Sequence, residues 1–540
     1  MYTLLNNVSH FTLLNAVTKP KELVLKAKER GLSAVGICEI NNVTSCVDFF
    51  DECGKNGIKP ILSCNFNKKG IIVVAKNKEG FKNIIKSISK DKILIDKNNI
   101  IILYDNIENN INEYKSLNIK TYLGLDLNLF DRSRIDSFDL PVVAIPSSYY
   151  LEEKQKEDHR LLIGTLIKKT KKEIEKLIEG NKSFEMDYLY NNDLCFGNIS
   201  GYTEDELNAT KEIEEQCENY KITDSPRLPK FEWTNGMSEI EYVRELCVEG
   251  YKKKRNYQWD KNVYGDRVKK ELKVIEEFNL SGYFLIVQDY VKFAKNKGIF
   301  VNYGRGSVAG SLVAYLLDIT DVDPIKHGLI FERFFNPARA SGGGLPDIDM
   351  DFPIDFREYV IDYIKNRYGE NRVSQMITLG RLQGSSALKE VFRYHEACDN
   401  FTANAITKKL PKEHEIDEYL KDMDHRSILL WVLENQPKLV SDYCKIENGE
   451  ICGEFAEFFK QAIRIEGIYR NQGKHAAGII ISSDNLYEIC PMLTDKNGEV
   501  IAGLEMGDLE KMGHVKFDIL GVQALSRLMT IKNMLKGDLC

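Results

Sequence analysis

The stretch LPDIDMDFPID, residues 345–355, sets Asp347, Asp349 and Asp351 two residues apart, with Ile348, Met350 and Phe352 between them. A β-strand sorts such an alternation, because successive strand side chains point to opposite faces whereas a helix would spread them round its circumference. The segment is therefore expected to be a strand with one apolar, buried face and one face carrying three carboxylates. Like charges so close repel one another, so the acidic face needs something positive against it.

Three readings fit that face. A half-exposed strand with a polar outer surface satisfies the pattern and implies no chemistry. A calcium-binding EF-hand loop would use Asp347, Asp349 and Asp351 as its first three ligands and Glu358 as its twelfth position. It fails at the sixth position, where the sharp turn wants glycine and the chain has Phe352 followed by Pro353. The third reading is a metal-binding edge. Two carboxylates a strand-step apart can bridge a pair of divalent cations about 3.5–4 Å apart, the arrangement used for in-line phosphoryl transfer. Mg²⁺ suits it, taking few carboxylates, several waters and the oxygens of a substrate phosphate.

Other segments carry complementary chemistry. In VNYGRGSVAGSLVAYLLDIT, residues 301–320, Gly304 and Gly306 flank Arg305, and Ser307 opens an apolar helical run. A glycine-rich turn entering a helix N-terminus offers backbone N–H groups to an anion, although a tight turn with an N-cap looks the same. Arg333 and Arg339 stand in the otherwise apolar and aromatic segment LIFERFFNPARA, and an arginine fork can bind phosphate oxygens or a neighbouring acid. In HVKFDILGV, residues 514–522, Lys516 and Asp518 share one strand face while Val515, Phe517 and Ile519 share the other. YRNQGKHAAGIII brings Arg470, Lys474 and His475 around a glycine, and a lone histidine there is ordinarily a structural hydrogen-bonding residue.

Residues 1 to about 220 alternate short apolar strands with helical segments, which predicts an α/β domain with parallel strands. The stretch ITDSPRLPKFEWTNGMS, residues 222–238, has the prolines and glycine of an inter-domain linker. Amphipathic helices follow, and residues 394–465 are again mostly helical and highly charged. At 540 residues the chain has room for several domains. Its net charge of −7 neither indicates nor excludes nucleic acid, because the whole-chain sum conceals local basic surface. Twelve cysteines without a C-x-x-C pair, no secretory leader and no membrane-length apolar run predict a reduced, cytoplasmic setting.

In their order along the chain, GYFLIVQDYV, GRGSVAGSLVAYLLDITDVDPI, LIFERFFNPAR, PDIDMDF, QMITLGRL, RNQGKHAAGIII and VKFDILG resemble the C-family bacterial replicative DNA polymerases, the DNA polymerase III alpha subunits, over about residues 230–530. The resemblance implies an α/β multidomain fold: a PHP-like (β/α) barrel over 1–225, a nucleotidyltransferase-type palm from 226–393 and 466–530, a helical thumb over 394–465, and the start of fingers at 531–540. It implies DNA-templated DNA synthesis from dNTPs onto a primer 3′-hydroxyl, with two Mg²⁺ ions on Asp347, Asp349 and Asp518 and with Asp351 outside the triad. Substrate contacts are expected at Gly304, Arg305, Gly306, Ser307, Arg333, Arg339, Lys474, His475 and Lys516. Expected partners are primer–template DNA, dNTPs and a second polypeptide carrying fingers and clamp-binding regions, in a bacterial cell or a phage-infected host. The alternative is a non-catalytic remnant that binds DNA or replisome proteins.

The chain departs from the family pattern in four places. The barrel's metal-binding H-x-H appears as Asn6 and Val8, and the Asp-His of its next motif as Glu39 and Ile40. His10 and His159 alone cannot build a trinuclear site, so the PHP-like domain is expected to be catalytically inactive. SGGG before Leu345 reads as a short insertion beside the acidic strand. Ser385 stands where a lysine is expected. The family continues for hundreds of residues past the point matching Asp518, which is why half of a split polymerase, completed by a second chain, is expected.

Overall fold

The computed structural model describes residues 2–94, 96, 98–104, 120–129, 132, 140–255, 259–337, 345–421, 426–495 and 497–536. The chain separates into two compact units, Met1–Ile222 with Leu379–Gly473 and Thr223–Thr378 with Lys474–Cys540.

The first unit is built on six strands lying side by side in chain order: β1 (Ala34–Ile40), β2 (Lys59–Phe66), β3 (Ile71–Ala75), β4 (Ile100–Tyr104), β5 (Thr121–Leu125) and β6 (Val142–Ala144). The extended segment around residues 4–8 joins the two edges. Gly36 N–H donates to Leu4 O at 2.7 Å, Cys38 N–H to Asn7 O at 2.8 Å, and Val8 N–H to Ser148 O at 2.9 Å. Glycine at 36 permits that approach, since a Cβ there would lie 2.4 Å from Leu5 O. The curled, nearly all-buried sheet is the expected barrel, but its strands are not all parallel. β1–β2, β4–β5 and β5–β6 pair in parallel, while β2–β3 and β3–β4 are antiparallel. The link from β2 to β3 is the short turn that ends at Gly70, φ +60°, far below the dozen or so residues that a parallel crossover requires.

The second unit holds a sheet whose sequence runs through β7 (Asp349–Pro353) and β8 (Val373–Arg381). The chain then crosses the first unit, where β9 (Lys445–Glu447) and β10 (Glu450–Cys452) form a small hairpin. It resumes with β11 (Tyr469–Ile481), β12 (Met492–Thr494), β13 (Val500–Ala502) and β14 (Lys516–Val522). The order across the sheet is β12-β13-β8-β11-β14-β7. Ile348, Met350 and Phe352 are at most 1% exposed and pack with Phe517, Ile519 and the helix Ser281–Asn296 in one apolar core. The expected linker carries no regular secondary structure, and Ser238 caps the helix Glu239–Lys254 in a reciprocal box with Glu241.

Residues 394–465, within the first unit, are mostly helical, as expected, apart from the β9–β10 hairpin. Leu388, Val391 and Phe392 of the helix Gly384–His395 share a core with Leu161 and Leu162 of the helix Lys156–Leu166. Arg464 holds Asp158 with a two-point ion pair at 2.7 and 2.8 Å, and the buried hydroxyls of Tyr190 and Tyr394 bond at 2.9 Å. The helical segment and the barrel segment therefore share buried surface rather than standing apart. No helix among the described residues is long and apolar enough to cross a membrane.

Candidate active site

β14 lies parallel to β7 in a register that sets Asp518 opposite Asp349. Burial of Met350 and Phe352 on one face of β7, and of Phe517 and Ile519 on the same face of β14, leaves the carboxylates together on the other. One carboxylate oxygen from each of Asp347, Asp349 and Asp518 lies within 4.8 Å of the others. Among the described residues this is the one group of three or more His, Cys, Asp or Glu side chains that could hold a metal ion. Asp347 is exposed, Asp349 half-buried and Asp518 buried. The Oδ1 atom of Asp518 is buried and accepts no hydrogen bond. Such an atom, in an all-oxygen carboxylate set, fits a hard cation such as Mg²⁺.

Two side chains partly neutralise the cluster. Lys516 Nζ lies 2.8 Å from Asp518 Oδ2 and 3.8 Å from Asp347 Oδ2. Burial pulls the lysine's pKa down, but its bond to Asp518 and the nearby Asp347 and Glu510 raise it overall. Arg305 donates to Asp351 Oδ1, and its Nε stands 4.0 Å from Asp349 Oδ2. Burial raises the pKa of Asp347 despite Lys516, with Asp518 adding to the rise. Burial, then Asp347 and Asp518, raise that of Asp349 against the pull of Arg305.

The glycine turn reaches this edge but not in the expected form. Gly306 adopts φ +65°, and a Cβ there would stand 3.6 Å from Asp349 Oδ2. Residues Gly306–Gly310 make a 3-10 turn, and the α-helix begins only at Leu312. Its cap is Ser311 rather than Ser307. The N–H groups of Leu312 and Val313 and the Ser311 hydroxyl are taken at 3.0, 3.0 and 2.9 Å by the buried carboxylate of Glu271. That helix N-terminus is thus already occupied by an internal anion, which corrects the expectation that it is open to a phosphate.

The remaining expected residues are scattered in environment. Arg333 ends the turn Phe331–Arg333, which packs on Gly306–Gly310, and it is exposed with no ion-pair partner among the described residues. Arg339 and the SGGG stretch lie outside the described residues. Lys474 pairs with Glu499 at 2.6 Å. His475 Nδ1 accepts the N–H groups of Ala477 at 3.2 Å and Gly478 at 2.7 Å, which leaves the proton on Nε2. Gly478 faces Asp518 across the β11–β14 register, so this histidine belongs to the strand beside the triad. Ser385 donates to Thr407 O at 2.7 Å within the first unit.

Three further residues near the triad were not expected there. Glu510 is exposed on the helix Met506–Lys511, yet its carboxyl faces the cluster: partial burial raises its pKa, Lys516 lowers it, and Asp347 and Asp518 raise it further. Tyr283 accepts the N–H of Ile348 at 3.2 Å, fixing the backbone between two of the aspartates. Asn302 accepts the Asp351 N–H at 3.3 Å. Tyr283 and Asn302 lie within stretches singled out from the sequence, but no pattern in them marks these two contacts, and Glu510 lies in none of those stretches.

In the barrel, Asn6, Val8 and Glu39, which departed from the metal motifs, are buried, and Ile40 is half-buried. Asn6 donates to Ile145 O at 3.2 Å and Ser147 Oγ at 3.0 Å. Glu39 accepts the hydroxyls of Ser9 and Thr12, and burial raises its pKa. His10 stacks on Tyr469, and burial lowers its pKa. His159 packs against the rings of Tyr149 and Tyr150, and burial lowers its pKa to about 3.

Residues 241–521 match the family described as bacterial DNA polymerase III alpha NTPase domain, and residues 5–104 match the PHP domain. Among curated proteins, the chain is 31% identical to the DNA polymerase III subunit alpha of Aquifex aeolicus, over 98% of this chain and 52% of that protein. It is 31% identical to the subunit of the same name from Borreliella burgdorferi, over 98% and 49%, and 30% identical to that of Ureaplasma parvum, over 99% and 51%. The chain spans about half the length of the curated relatives it matches. With its matched segments in family order over a PHP domain and an α/β sheet domain, the chain belongs to the bacterial DNA polymerase III alpha family.

Proposed function

We propose that this chain carries the nucleotidyl-transfer site of a DNA-templated DNA polymerase. The observation that supports this most is the cluster of Asp349 and Asp518 on paired strands with Asp347 just before the first of them, with one buried, unpartnered carboxylate oxygen and with Lys516 beside it. On this reading residues 226–393 and 466–530 are palm, 394–465 thumb, 531–540 the start of fingers, and 1–225 a catalytically inactive PHP-like domain. In the reaction, a primer 3′-oxygen forms a bond to the α-phosphorus of a dNTP as the bond to the bridging oxygen breaks and pyrophosphate leaves. Two divalent cations held by the triad would supply the Lewis acidity that ionises the 3′-hydroxyl and neutralises the triphosphate.

The chain's own residues then orient and balance charge. Asp347, Asp349 and Asp518 hold one carboxylate oxygen each within 4.8 Å of one another. Lys516 and Arg305 present cations beside them, and Arg333, Arg339 and the Gly304–Ser307 turn are the proposed triphosphate contacts. Lys474 and His475, from the strand that neighbours Asp518, are proposed for the substrate as well, with the Nε2–H of His475 as donor. The thumb would grip the duplex through phosphates, independently of sequence.

Primer extension with Mg²⁺ and dNTPs tests the reading, using this chain alone and together with a polypeptide spanning the rest of the relatives' length. Incorporation is expected, and Asp349→Asn should lower it roughly 10³-fold while preserving the fold, several kcal/mol of lost transition-state stabilisation. Incorporation indifferent to Asp349→Asn, or none under either condition, sinks it. DNA binding that survives without any incorporation points instead to a non-catalytic binding module.

A further inference from the structure

We propose that Asp351 is a positioning residue that holds the Arg305 guanidinium off Asp349, keeping that carboxylate free for a divalent cation. The inference rests on Asp347, Asp349 and Asp518 being metal ligands. Asp351 and Asp349 stand two residues apart on one face of β7, and Arg305 lies between their reach: hydrogen-bonded to Asp351 Oδ1 and 4.0 Å from Asp349 Oδ2. The second distance exceeds a hydrogen bond, and the first is a direct one. Which carboxylate takes the guanidinium is therefore settled by Asp351.

The framework round the pair leaves the arginine side chain as the element free to move. Asn302 N–H donates to Asp351 O at 3.2 Å and Asp351 N–H to Asn302 Oδ1 at 3.3 Å, so the strand and the segment entering the glycine turn are tied together. On the next residue, Tyr303 O accepts from Thr320 Oγ at 2.9 Å and from Asp321 N–H at 2.6 Å. The Asp351 side chain is 13% exposed against 43% for Arg305, so the anchor is half-buried and the fork is more open. Without the Asp351 charge, the nearest anion to the guanidinium is Asp349, and an arginine seated there competes with any cation for the same oxygens.

The test is Mn²⁺ binding to the full chain, followed by electron paramagnetic resonance without DNA or nucleotide, in a cycle of wild type, Asp351→Asn, Arg305→Gln and the double variant. Removing a charge at either position alters Mn²⁺ affinity through the general field, and those effects multiply independently. Anchoring predicts coupling. Arg305→Gln should tighten Mn²⁺ at least about threefold more in the Asp351→Asn background than in wild type, within the range measured for contacting residues. Independent effects overturn the inference alone, provided Asp349→Asn weakens wild-type binding. Binding that Asp349→Asn leaves unchanged removes the metal-ligand reading and the inference with it. Asp351→Ser supplies the same cycle if Asp351→Asn does not fold.

Discussion

Replacing Lys516 with Met removes the cation that lies 2.8 Å from Asp518 Oδ2 and 3.8 Å from Asp347 Oδ2. At an effective dielectric of about 20, unit charges 2.8 Å apart attract by roughly 6 kcal/mol, and carboxylates no more than 4.8 Å apart repel by at least roughly 3.5 kcal/mol. The attraction of Lys516 for Asp518 thus offsets much of the repulsion from the two other carboxylates, and without the lysine that repulsion is opposed by Arg305 alone. Breaking a buried pair costs about 3–5 kcal/mol, and the exposure of Asp347 reduces that to about 2–3 kcal/mol here. For a unit of this size the loss corresponds to a fall of about 4–12 °C in its melting transition. The defect should shrink as pH falls, because burial and neighbouring charge raise the pKa of Asp347 and Asp349, so protonation relieves the repulsion early. A divalent cation replaces the missing charge, so about 10 mM Mg²⁺ should raise the transition of Lys516→Met more than that of wild type. Thermal melts of both proteins in EDTA and in Mg²⁺, read at the transition of the second unit, measure this directly. Equal transitions in EDTA, or an equal gain from Mg²⁺, would show that Lys516 does not balance the triad.

Two further outcomes concern the first unit. Burial raises the pKa of Glu466 from 4.5 to about 7 although Ser427 and the N–H groups of Leu429, Gly384 and Ile428 bond to it. A carboxyl raised in the folded state contributes stability that is full below its unfolded pKa and is lost as pH rises to its folded value, here on the order of 3 kcal/mol. Glu466→Gln should flatten that fall, and urea midpoints that decline alike in both proteins between about pH 5 and 8 would refute it. At Gly164, an added Cβ would stand 2.5 Å from the Tyr394 ring, which is buried and tied to Tyr190. Gly164→Ala should cost about 1–3 kcal/mol through overpacking, outweighing the roughly 1 kcal/mol that alanine gains in a helix, and Tyr394→Leu should restore part of it. A Gly164→Ala protein as stable as wild type by urea denaturation would rule the clash out.

What could be seen in the chain before any fold was known follows short-range periods. Asp347, Asp349 and Asp351 against Ile348, Met350 and Phe352 needed only the two-residue repeat of a strand, and Lys516 with Asp518 needed the same. The non-periodic stretch 222–238 and the helical nature of 394–465 were visible for similar reasons. Asp518 joined the other two aspartates by family resemblance rather than by any local pattern. Its place opposite Asp349 is a register between strands far apart in the chain, set by which apolar residues share a core. Antiparallel pairing of β2 and β3 came from the length of one turn. Glu271 fills the N-terminus of the helix at Leu312 from forty-one residues away, so the helix end that follows the glycine turn is taken while the turn itself is not. Arg305 likewise chose Asp351 over Asp349 only once the strand and the turn were tied together by Asn302. Side-chain alternation is a property of neighbouring residues and so is written locally, whereas partners are chosen by long-range packing, which no window of a few residues contains.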